Sequence, residues 1–140
     1  MSQETIMLEP DWGIDFGKPP QLEIRFVEVR DDILYVLGVS HSSIKVGDRF
    51  RILRQFEPQA NVQDTIGNHL AKLDLRVKSI TAYHNQLNRV NADMTAGLEL
   101  TGKWDNLLPV LEKIGWTQSE SAGHQWRDTV TESEKLILTK

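Results

Sequence analysis

Apolar and polar residues alternate with a period of two in successive stretches between Leu22 and Gly102, and that period constrains the fold more than any other feature of the chain. Leu22, Ile24 and Phe26 alternate with Glu23 and Arg25, and Arg49-Phe50-Arg51-Ile52 repeats the pattern after Gly47-Asp48. Leu73 to Ile80 alternates most cleanly, with Leu73, Leu75, Val77 and Ser79 set inward and Asp74, Arg76 and Lys78 outward. Successive residues of a strand point to opposite faces, so each stretch reads as half-buried sheet. Ile33 to Val39 is more continuously apolar and reads as a further strand. Turn residues punctuate these runs at Asp31-Asp32, Gly47-Asp48 and Asn91 to Asp93, and Thr95 to Thr101 supplies a closing strand that contains Gly97.

Outside this block the pattern changes. Residues 1–21 hold Pro10, Gly13, Gly17, Pro19 and Pro20, a breaker density that predicts an irregular arm, although Trp12, Ile14 and Phe16 alternate and give it one apolar edge. Phe56 to Lys72 is polar and rich in turn residues, and reads as a long loop between strands. Leu107, Leu108, Val110, Leu111 and Ile114 recur at helical spacing, with Pro109 in the first turn and Gly115 at the end, so a short amphipathic helix is expected over residues 106–114. Trp116 and Trp126 flank the polar run from Ser119 to Gly123 as in a small hairpin. Thr131 to Glu134 has capping-box spacing while Leu136-Ile137-Leu138 suits a strand, which leaves both conformations open for the last residues.

Bulk properties exclude several classes of function. A chain of 140 residues fits one domain able to bury a core without staples. The absence of cysteine removes disulfides, zinc-thiolate sites and cysteine nucleophiles. The first residues lack the basic start and apolar run of a secretory signal, and no apolar stretch approaches the roughly 20 residues of a membrane-spanning helix. A cytoplasmic location without membrane partners is the expectation. Net charge is −4, yet residues 72–103 hold three acids against five bases, so the centre of the strand-rich block is locally basic.

The sequence offers no catalytic constellation. His41, His69, His84 and His124 lack any short paired spacing suited to a metal, and no metal or cofactor is implied. Ser40-His41-Ser42 does not match the G-x-S-x-G elbow, and adjacent strand residues point apart. A hydrolytic role for His41 or His84 requires a pocket joining the imidazole to a second polar group. Two binding surfaces stand out instead. Arg49, Arg51, Arg76 and Lys78 all point outward on strands that form one cationic stripe if they pair, and Trp104, Trp116 and Trp126 are candidates for interface anchors.

The segment Ser43-Ile44-Lys45-Val46-Gly47-Asp48 entering Arg49 to Leu53, followed by Val77-Lys78-Ser79-Ile80, Leu87, Val90 and Asn91 to Leu100, resembles the second-domain β-barrel of translational GTPases, the elongation factor Tu type, across about 60% of the chain. No G-x-x-x-x-G-K-[ST] loop precedes it, so no nucleotide is expected. The family's Gly-rich turn is represented by Gly38-Val39-Ser40-His41-Ser42 and its Ala-Gly-Asp/Glu turn by Ala92-Asp93-Met94, so the family's contact with the acceptor end of transfer RNA does not carry over. The resemblance implies a mainly β protein: an N-terminal arm (1–21), a translation-factor-type β-barrel (22–103) and a small C-terminal α/β appendage of helix plus hairpin (104–140). The corresponding functional expectation is a non-catalytic module that engages a protein partner in a regulatory or neutralising role. The alternative is a translation-related accessory that binds RNA through the basic stripe.

Overall fold

In the computed structural model, which describes residues 19–57, 59, 61–62, 67–119, 125–127 and 135–140, the chain is almost entirely antiparallel sheet. Its strands are β1 (Gln21–Arg30), β2 (Ile33–Ser40), β3 (Ile44–Lys45), β4 (Arg49–Phe56), β5 (Asn68–Ala82), β6 (Asn85–Leu87), β7 (Arg89–Val90), β8 (Thr95–Lys103), β9 (Thr117–Ser119), β10 (Gln125–Arg127) and β11 (Lys135–Thr139), with one helix, α1 (Leu107–Lys113). Pairing runs β11-β4-β5-β8-β2-β1, and β11 pairs again with β1, so six strands join in a ring. A ring has no open edge, which removes the unpaired row of backbone groups that an open sheet exposes.

The alternation seen in the sequence fills this ring. Leu22, Leu34, Phe50, Leu53, Leu75, Ile80, Leu98, Leu100, Leu136 and Leu138 are all fully buried in one core. The turns fall where their residues predict. Asp31-Asp32 links β1 to β2, with Asp31 at φ 54°. Gly47 adopts φ 96°, a region open to glycine at no steric cost, while the Asp48 carboxylate accepts the Lys45 N–H at 2.9 Å. Gly47 N–H then donates to the Val77 carbonyl at 2.9 Å, which ties the turn to β5. Asp93, at φ 64°, reverses the chain into β8.

Three expectations change. Ser79 is not inward: Val77 pairs with Leu100 and Ser79 with Glu99, so Lys78 is the extra residue of a β-bulge that moves Ser79 to the outer face. The polar loop is shorter than expected, because β4 runs to Phe56 and β5 already starts at Asn68, where polar residues pair with Gln55 and Arg54. The ring is also not completed by the strand over Thr95 to Thr101. Its last stave is β11, between β1 and β4, which resolves the terminal ambiguity in favour of a strand.

Helix α1 matches its predicted span, with Asn106 and Ile114 as its caps, Gly115 at φ 105°, and Leu107 and Leu111 buried against the core. β9 and β10 form the expected hairpin on the free part of β1. Trp12, Ile14, Phe16, His124, the hairpin turn and residues 131–134 lie outside the described residues.

Candidate functional site

The outer face of β4, β5 and β8 assembles the cations. Arg49 sits directly opposite Arg76, and Arg76 opposite Thr101. Arg51 and Lys78 are exposed on the same two strands. Lys72 and Lys103 extend the surface, Lys103 lying opposite Asp74. Across β4 and β5 the only carboxylate is Asp74, whose Oδ1 lies 3.4 Å from an Arg49 terminal nitrogen. Like charges directly opposite on a sheet destabilise it, and an exposed pair such as Arg49–Asp74 offsets little of that. The four predicted stripe residues are thus brought onto one surface.

Beside the stripe lies a cleft of about 450 Å³, within the size range of small-ligand sites. Register explains its shape. Thr81, Gly97, Leu37 and Phe26 lie in one row across β5, β8, β2 and β1, and the absent side chain of Gly97 leaves the depression. Phe26 faces outward because a second bulge, at Arg25, reverses the alternation and turns Val27 inward. The next row holds Ser79, Glu99, Tyr35 and Glu28. The Ser79 and Tyr35 hydroxyls both donate to the Glu99 carboxylate, the first of these bonds leading in holding that carboxyl below its ordinary range. The bond to Glu99 in turn pushes the Tyr35 phenol up. Arg30 stacks 4.8 Å from the Tyr35 ring centre. Nothing in the sequence marked this cleft, since Phe26, Ser79 and Thr81 join its wall only through two bulges.

Several of the remaining candidates occupy structural positions. Trp116 is 5% exposed and belongs to the main core, and Trp104 packs against it. Trp126 lies opposite Val27 in β10, and its side chain is outside the described residues. The buried Ser40 hydroxyl donates to the Asn91 carbonyl at 2.5 Å and accepts the Met94 N–H at 3.0 Å, which fastens the end of β2 to the 91–94 turn. Ser42 donates to the Pro19 carbonyl at 2.6 Å. His41 Nε2 donates to Glu23 Oε1 at 2.8 Å, and Arg25 meets the other Glu23 oxygen at 2.9 Å. Burial pushes the Glu23 carboxyl up, but the His41 bond and the charges of Arg25, His41 and Lys135 outweigh it, for a net downward shift. His84 is exposed at the tip of the β5–β6 hairpin. Among the described residues there is no group of three or more His, Asp or Glu side chains placed to hold a metal, and no helix long and apolar enough to cross a membrane. Comparison with protein-family models and with curated proteins gives no match.

Proposed function

We propose that the chain is a barrel of the translation-factor type that binds single-stranded RNA without catalysis, its phosphates tracking the outer face of β4 and β5. The observation that carries this reading is the concentration of Arg49, Arg51, Arg76 and Lys78 on one surface of a protein whose net charge is −4. A polyanion relieves the repulsion between Arg49 and Arg76 and releases condensed counterions as it binds. The turn at Gly47, the antiparallel ring and the Val77-Lys78-Ser79-Ile80 run into β8 support the barrel type. Along β5 the cations lead past the cleft to Tyr83 and His84 at the hairpin tip, where bases have aromatic faces to stack on.

The test is fluorescence anisotropy with a labelled single-stranded RNA over a range of salt. Changing Arg49, Arg51, Arg76 and Lys78 together to Gln weakens binding and lowers the slope of log K against log salt by about 3, at about 0.7 per phosphate contact on a single strand. Affinity and slope unchanged by the four substitutions would sink the proposal. A protein partner is the second reading, favoured by the cleft beside Leu37, which is 41% exposed with half-buried Phe26 next to it. It predicts a stoichiometric complex that survives nuclease treatment.

A further inference from the structure

A second cleft, of about 230 Å³, opens on the outer face where β1, β11 and β4 meet. Its size is below that of most small-molecule sites and suits an ion or the end group of a larger molecule. Register again fixes what lines it. Thr139 pairs with Ile52 and Ile137 with Arg54, so Thr139 and Arg54 are diagonal neighbours on adjacent strands. Phe56 and Ile137 form an apolar wall, and Pro19, Gln21 and Lys140 complete the lining.

Two polar groups here have no partner among the described residues. Thr139 is only 6% exposed, and its hydroxyl has no hydrogen-bond partner among the described residues. The Arg54 guanidinium likewise has no ion pair among them. Buried hydroxyls are nearly always bonded, because leaving one unmatched forfeits its hydration with no return. No described acidic residue lines the cleft. Glu23 lies in the same cross-strand row as Ile137 and Arg54, but both its oxygens are engaged by His41 and Arg25. A cleft lined by a planar guanidinium and a spare buried hydroxyl, with no acidic side chain among its described lining residues, is chemically complementary to an oxyanion.

We infer that this cleft binds a tetrahedral phosphate-class oxyanion, with Arg54 donating two parallel N–H groups, Thr139 its hydroxyl and Lys140 a second positive charge. Three separate donor groups match the several oxygens of a tetrahedral group better than the two coplanar oxygens of a carboxylate. The site is independent of the RNA stripe.

Titration with inorganic phosphate, followed by amide NMR shifts of the full chain, tests it. Saturable shifts centred on residues 54 and 137–139 are expected. Affinity falls about tenfold or more in Arg54→Gln, as the loss of a charged hydrogen bond requires, and about fivefold in Thr139→Val. The Val variant keeps the β-branched shape and loses an unmatched buried hydroxyl, so its thermal stability stays equal or rises, which separates lost binding from lost folding. The four-Gln stripe variant binds phosphate as the parent does. Tighter binding of phosphoserine than of phosphate identifies a monoester as the ligand, and equal or weaker binding identifies the free ion. Absence of saturation, shifts centred on Arg49 and Arg76, tighter binding of acetate than of phosphate, or unchanged affinity in Arg54→Gln overturns the inference.

Discussion

The two residues that turn β5 into β6, Tyr83 and His84, stand at φ 53° and 64°. Ala82 pairs with Asn85, so they form a two-residue hairpin loop with both central residues left-handed, the geometry that favours Asn-Gly. Each non-glycine residue in that region costs about 1–2 kcal/mol. Tyr83 is 74% exposed and His84 is exposed too, so little packing offsets the strain. Replacing the pair by Asn-Gly relieves most of it, less about 0.4–1 kcal/mol for the greater freedom of glycine in the unfolded chain. A net gain of about 2 kcal/mol is expected. Unfolding entropy for 140 residues is about 0.3 kcal/mol/K, so Tm rises by about 7 °C. Differential scanning calorimetry and urea melts at constant m-value measure this. A Tm that stays level or drops would refute the reasoning, because it would mean that the tip is stabilised by contacts its exposure denies. Strain retained at an exposed aromatic tip also suggests use. Under the RNA proposal the same variant therefore binds the labelled strand more weakly, by about 1–3 kcal/mol per stacked base lost.

Three further outcomes follow from the geometry. The folded pKa of Glu23 lies below its ordinary 4.5, so its contribution to stability is complete above that value and disappears as the pH falls through the folded pKa; chemical melts across the acid range should show Glu23→Gln less stable at neutral pH and with a shallower acid limb. Ser40→Ala leaves the Met94 N–H without its acceptor and frees the 91–94 turn, at a cost of about 1–3 kcal/mol in urea unfolding. Gly97→Val fills the larger cleft: a Cβ there meets nothing closer than the Thr81 carbonyl at 3.9 Å, so stability should hold or rise while any protein partner that uses the cleft is lost from pull-downs.

Much of the local structure was legible because its signals are local. The period of two set the faces of β5 from Ala71 to Val77 and of β4 only from Arg49 to Arg51, since a register shift against β5 then sets Ile52 opposite exposed Lys72 and buries Leu53; the left-handed demands of Gly47 and Asp93 marked turns, and Pro109 with Gly115 bounded α1. The outward direction of Arg49, Arg51, Arg76 and Lys78 came from the same alternation. The bulges at Arg25 and Lys78 were not legible. One inserted residue reverses every later side chain, and what selects it is the strand paired across, so Phe26 and Ser79 reached the outer face without a sequence signal. The tryptophans illustrate the converse, since composition alone cannot tell an interface anchor from a core residue such as Trp116.

By itself, then, the sequence determined which segments extend, where they turn and which faces are apolar, because steric preferences and side-chain periodicity act within a few residues. Only the tertiary structure decided that β11 closes the ring between β1 and β4, that Arg49 meets Arg76, and that Thr139 and Arg54 share a cleft. Those are pairings between residues far apart in the chain, selected by the burial and hydrogen bonding of the whole sheet at once, and no local pattern encodes which distant strand will be the neighbour.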